Sequence, residues 1–162
     1  MDISRFEKFD AAVAENLSET IEKILGLKRK KKYCAVGFIT TDDFYGFYLS
    51  WKYTYKIDEF YDWKKGIHPD FLYQPLVDVV DASKDINLLE RSDEKWEFAK
   101  AVLAVLEKNI KALPDEVFTN SGYNREDVLF FATMGDGDYI EEMLNESVKM
   151  FNSADTLKKY KL

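Results

Sequence analysis

Tyr33-Cys34-Ala35-Val36-Gly37-Phe38-Ile39-Thr40, then Thr41-Asp42-Asp43, then Phe47-Tyr48-Leu49-Ser50-Trp51-Lys52-Tyr53-Thr54-Tyr55 is the stretch on which the fold turns. Its first eight residues read as a short, nearly continuous apolar strand. Thr41-Asp42-Asp43 supplies turn residues, because short polar side chains bond their own backbone and stop a ladder. Beyond the turn, Phe47, Leu49, Trp51, Tyr53 and Tyr55 alternate with Tyr48, Ser50, Lys52 and Thr54, a period of two with one face buried. The spacing predicts a hairpin with a loop of several residues. Neighbouring strands joined by short turns favour an antiparallel or mixed sheet with helices packed on it, an α+β architecture.

Upstream, Ile3, Phe6, Phe9, Val13, Leu17, Ile21, Ile24 and Leu25 recur at helical period, with Gly26 expected just past the helix end. The basic run Lys28-Arg29-Lys30-Lys31-Lys32 then lies where the helix dipole favours cations. Downstream, Ile57, Phe60, Tyr61 and Trp63 fit one or two helical turns ended by Gly66, and His68-Pro69-Asp70 reads as a loop. The β-branched run Leu76-Val77-Asp78-Val79-Val80 is expected to form a third strand, with Pro75 keeping its start off a central position. Ser92 or Asp93 can cap a long helix carrying Trp96, Ala99, Val102, Leu103, Leu106, Ile110 and Leu113 on one stripe up to Pro114. Val128–Met134 reads as a buried strand ended by Gly135-Asp136-Gly137, and a last helix presents Tyr139, Ile140, Met143, Leu144, Val148 and Phe151. Residues 152–162 are expected to form a frayed tail. Residues 1–162 thus read as a single α+β domain of about four strands with three main helices. Phe47, Leu49 and Trp51 should pack against Phe9, Val13, Leu103, Leu106 and Phe130.

The chain has 162 residues, 46% of them apolar and 15% aromatic, which excludes general disorder. No apolar run approaches the roughly 20 residues of a membrane span, and Met1–Arg5 opens an amphipathic stretch rather than a signal peptide, so a cytoplasmic protein is expected. A single cysteine, Cys34, excludes an internal disulfide framework and a multi-cysteine zinc site. The net charge of −7 is unevenly placed: Pro114–Glu146 holds nine acids and one base, Arg125. An anionic field of that kind repels nucleic acid and anionic membranes and attracts cationic partners.

The catalytic inventory is thin. His68 stands alone in a loop, and Cys34 lies inside an apolar strand where its thiolate is disfavoured. There is no Gly-rich phosphate loop, paired-histidine metal helix or nucleophile elbow. Asp136-Gly137-Asp138 with Glu141 and Glu142 raises the question of a hard cation, but the ligand spacing of a calcium loop is missing. Asp138 is instead expected to cap the last helix, with both glutamates in its positive first turn. No metal or cofactor is expected. Fourteen of the 25 aromatics fall between Tyr33 and Tyr73, more than one core face absorbs. With Lys52, Lys56, Lys64, Lys65 and the run Lys28–Lys32 nearby they suit a nucleic-acid platform, and equally a protein-binding surface. The acidic second half favours the protein partner.

Tyr33–Asp43, the helix carrying Trp96 to Leu113, and the strand Val128–Thr133 followed by Gly135-Asp136-Gly137-Asp138 are similar in order and spacing to the bacterial family catalogued as domain of unknown function 4303. The resemblance spans most of the chain, and its motifs are a strand ending in Thr-Asp and a later strand ending near an Asp pair. Phe71-Leu72-Tyr73 departs from it, standing where a Trp-rich stretch would be expected. The resemblance implies a small bacterial cytosolic protein of the kind encoded near polymorphic or contact-dependent toxins, where such proteins serve as immunity partners. It brings no catalytic residues. The leading expectation is a non-enzymatic protein that binds a cognate, basic, nuclease-type toxin domain through Glu126, Asp127, Asp136, Asp138, Glu141 and Glu142, with exposed Tyr123 and Tyr139 as anchors. Two alternatives stay open: a small-molecule or metal-binding pocket lined by the aromatics around Trp51 and Trp63, and a general adaptor. The oligomeric state is left open.

Overall fold

Four strands pair into one mixed sheet in the computed structural model, which describes residues 3–27 and 31–162. Strand β1 (Cys34–Thr40) pairs antiparallel with β2 (Phe47–Lys52), Phe38 opposite Leu49. A two-residue β3 (Gly66–Ile67) lies antiparallel outside β2, and β4 (Val128–Met134) runs parallel to β1, from Cys34 beside Val128 to Thr40 beside Met134. The order is β3-β2-β1-β4, so the expected hairpin is present and the fold is α+β. Six α-helices occur among the described residues: α1 (Glu7–Gly26), α2 (Gln74–Asp81), α3 (Asp93–Lys111), α4 (Glu116–Thr119), α5 (Ile140–Phe151) and α6 (Ala154–Tyr160).

The period-two alternation of β2 decides which face meets the helices. Phe47, Leu49 and Trp51 join Phe9 and Val13 of α1, Leu103 and Leu106 of α3 and Phe130 of β4 in one buried cluster, as expected. The opposite face is covered too. Phe60 and Trp63, from the connection after β2, pack with Ile39 and Phe131, while Leu157 and Tyr160 of α6 pack with Ala35 and Leu129. Both β1 and β4 are therefore buried at every position, and the surplus of aromatics is divided between two faces.

Several expectations are corrected. The run Leu76–Val80 is not a strand but the body of α2, whose first turn contains Pro75. Proline's missing N–H costs nothing there, and Leu76 and Val79 enter the main core, so packing overrides β-branched propensity. The fourth strand of the sheet is instead Gly66–Ile67, with Gly66 continuing into a ladder rather than ending a helix; upstream, only Phe60–Asp62 form a single 3-10 turn. Residues 152–162 are not frayed. Ser153 caps α6 by accepting the Thr156 N–H at 3.1 Å, and buried Tyr160 donates its hydroxyl to the carbonyls of Cys34 at 2.9 Å and Asp127 at 2.8 Å. Gly26 closes α1 from within, with Leu27 as the capping residue. Met1, Asp2 and the Lys28–Lys30 part of the basic run lie outside the described residues.

Strand β4 would leave a bare edge, and α5 with its capping residue Asn152 seals it with side chains. The Asn152 amide accepts the Phe130 N–H at 2.9 Å and donates to its carbonyl at 2.6 Å. Ser147 accepts the Ala132 N–H at 2.8 Å and donates back to the carbonyl at 2.9 Å. Two side chains thus stand in for a fifth strand, which protects the edge from pairing with other chains. Ser147→Ala strands both backbone groups of Ala132 in a buried place and should lower stability by about 1–3 kcal/mol. A urea-denaturation midpoint unchanged from wild type would show that these bonds are replaceable.

Candidate functional site

Because β1 and β4 are parallel neighbours in register, the chain leaves both at one end of the sheet, the place where open sheets with parallel strands usually bind their ligands. The loops there are stitched together. The Gly135 N–H donates to the Thr40 carbonyl at 2.8 Å, and the Asp42 N–H donates to the Asp136 carboxylate at 3.1 Å. Asp42 in turn accepts the Asp138 N–H at 3.0 Å. Gly137 bends the second loop at φ +97°, and a Cβ on it would lie 2.0 Å from Asp42 Oδ1, so only glycine fits.

Below these loops lies Lys95, in the first turn of α3. Its side chain is 0% exposed, and Nζ donates to Asp42 Oδ1 at 2.8 Å and Asp138 Oδ2 at 3.3 Å. A buried ammonium is tolerable only when paired, and two carboxylates with 31% and 35% of their side chains exposed provide the pairing. Burial pushes the Asp42 carboxyl up, but hydrogen bonds from Lys95 and the Asp138 N–H, together with the lysine's charge, outweigh it and hold Asp42 below its ordinary value.

Helices α3 and α5 start side by side above this lysine. Ser92 caps α3 by accepting the Lys95 N–H at 3.1 Å, and its carbonyl accepts the Tyr139 hydroxyl at 2.7 Å. The Tyr139 ring stacks on Trp96 with centroids 5.1 Å apart, and the Arg91 guanidinium lies 4.5 Å from the same ring. Arg91 also donates to the Asp138 carbonyl and, at 2.6 Å, to Glu142. The first turns of both helices are acidic, with Asp93 and Glu94 on α3 and Glu141 and Glu142 on α5. All four are exposed, as is Asp136 between them.

The expected acidic set divides. Asp136, Asp138, Glu141 and Glu142 meet on this face, whereas Glu126 and Asp127 precede β4, at the other end of the sheet. Asp127 serves its own surroundings, accepting the Asn124 N–H at 2.9 Å and the Lys159 ammonium at 2.7 Å. Asp138 does not cap α5. Tyr139 holds the capping position without a side-chain bond, because the Asp138 carboxylate is turned to Lys95. Neither tyrosine is an exposed anchor: Tyr123 is 2% and Tyr139 6% exposed, both inside the main core. The site residues that sequence reasoning missed are Asp42, Arg91 and Lys95. For Lys95 a signal exists, since it lies three, seven and eleven residues before Phe98, Val102 and Leu106, on the buried stripe of α3.

Among the described residues no group of three or more His, Cys, Asp or Glu side chains is arranged to hold a metal ion, and no helix is long and apolar enough to cross a membrane. Cys34 is fully buried, and burial pushes its thiol up to about 12, which leaves it protonated at neutral pH. His68 is exposed and lies 5.3 Å from the Tyr48 ring. Comparison with family models, with curated proteins and with solved structures gives no match.

Proposed function

We propose that this protein is a non-enzymatic, cytoplasmic immunity protein that binds a basic toxin domain through the acidic face at the ends of β1 and β4. One observation carries the reading: two acidic helix starts and Asp136 are held side by side on a rigid base, the buried Lys95 with its two aspartates. A nuclease-type toxin needs a cationic cleft for its phosphate-rich substrate. A pre-organised anionic face both speeds encounter with such a cleft and covers it. Burial of Cys34 argues against thiol chemistry. The resemblance to the domain of unknown function 4303 family is part of this reading and rests on the strand ends that carry it.

The test is rescue of growth in cells expressing a basic nuclease-type toxin domain, should one be encoded beside this protein, together with association kinetics. Glu142 and Asp136 are poor choices for reversal because Arg91 and the Asp42 N–H hold them. Glu94 and Glu141 have exposed side chains in the two first turns. Glu94→Lys/Glu141→Lys should slow association by about tenfold or more at low salt while leaving the melting temperature within a few degrees. The wild-type on-rate should also fall with salt, because the field is screened over about 8–10 Å. Unchanged association by the folded double variant would move the interface elsewhere.

A further inference from the structure

At the other end of the sheet one cleft is lined by the opposite charge. Lys31, Lys52, Lys64 and Lys65 line one cleft of about 420 Å³ together with Trp51, Tyr53 and Trp63, and Asp62 is its one carboxylate. The cleft lies where β2 ends, with Lys52 beside Ala35 near the start of β1, so almost the length of β1 separates it from Asp42. Its walls are tied down. The Lys65 carbonyl accepts the Trp51 N–H at 3.2 Å and the Ser50 hydroxyl at 2.9 Å, and the Tyr53 hydroxyl donates to the Ile24 carbonyl at 2.8 Å.

The charge of this cleft suits an anion. The four ammonium groups gather in a protein of net charge −7, yet none makes an ion pair among the described residues; Lys65 only lies 5.1 Å from the Tyr53 ring. We propose that this cleft binds a nucleotide, its phosphates held by Lys52, Lys64 and Lys65 and its base against the aromatic wall of Trp63 and Tyr53. A bare anion would leave the aromatic lining unused. The volume of this open cleft is within the range of small-molecule sites, and the anionic remainder of the surface repels a long polyanion more than a compact one. The inference is independent of the acidic face.

Trp51 and Trp63 report on the cleft by fluorescence, so the intact protein can be titrated with ADP, adenosine, inorganic pyrophosphate and a single-stranded oligonucleotide. ADP should quench the emission with a Kd between about 10 μM and 1 mM, and adenosine and pyrophosphate should each bind at least about tenfold more weakly. Lys52→Glu/Lys64→Glu should lose at least about tenfold in ADP affinity with an unchanged near-ultraviolet spectrum, while Glu94→Lys/Glu141→Lys should keep it. Should the cleft variant misfold, Lys64→Gln and the salt dependence of wild-type binding carry the same test, both expected to weaken ADP binding. No response to ADP, equal binding of pyrophosphate, tighter binding of the oligonucleotide, or ADP binding indifferent to the lysines would each overturn the proposal.

Discussion

Lys95→Ala is expected to lower the unfolding free energy by about 3–5 kcal/mol, the usual result of removing one partner from a buried ion pair. The lysine is fully enclosed, so its loss opens a hole at the start of α3 and leaves the Asp42 and Asp138 carboxylates facing each other without a counter-charge. Lys95→Met separates the two effects. It restores most of the volume but not the charge, and should recover only part of the loss. Lys95→Met/Asp42→Asn/Asp138→Asn should recover most of the rest, because a buried ion cluster replaced as a whole is often neutral. Urea denaturation of the three variants is the measurement; a Lys95→Ala midpoint near wild type would mean that water replaces the ammonium freely. The acid side of the stability profile gives a second readout. Asp42 is held below its ordinary carboxylate value in the folded state, so its contribution is complete above about pH 4 and is lost as the pH falls through the lowered folded value. Asp42→Asn should flatten that part of the profile.

The acidic face shows how far a sequence can be read and where it stops. Local pattern locates the hairpin, β4, the stripes of α1 and α3 and a cap at Ser92 or Asp93, of which Ser92 takes the role, because each is written in neighbours spaced by two or by three and four residues. It placed Asp136, Glu141 and Glu142 near a helix start for the same reason. What decides their company is the parallel pairing of β1 with β4, a contact between residues about 94 apart that no local period encodes. Hence local pattern shows Asp42 only as a turn residue and groups Glu126 and Asp127 with acids at the far end of the same strand. Tyr123 and Tyr139 misled for a related reason: a tyrosine among acids looks exposed, yet both rings are buried and the Tyr139 hydroxyl reaches the Ser92 carbonyl. Leu76–Val80 and the tail do carry local signals of their helices, Pro75 at a helix start and Ser153 three residues before Thr156, against which β-branched propensity and terminal position point the other way.

Phe131→Ala should cost about 3–5 kcal/mol, and in that background Gly37→Ala should become nearly harmless. The ring of Phe131 crosses β1 at Gly37, where a Cβ would lie 2.5 Å from Cζ and 2.8 Å from Cε2. A ring tip at a surface would swing away from so close a contact. Here it is held, with Trp63 edge-on at 5.6 Å and Phe60 at 5.8 Å between centroids, and the ring itself is fully buried. The added methyl must therefore displace the cover of that sheet face or part β1 from β4, and about 1–3 kcal/mol is the usual cost of overpacking. Removing the ring removes the obstacle, so the double variant should be more stable than the sum of the single losses predicts by about 1–2 kcal/mol. Urea midpoints of the wild type, both singles and the double close the cycle. Additivity within about 0.5 kcal/mol would mean that the strain of Gly37→Ala is taken up by the backbone rather than by the ring. A large coupling would identify the glycine as the residue that lets the aromatic connection after β2 lie flat on the sheet, which in turn seats Trp63 at the wall of the lysine-lined cleft.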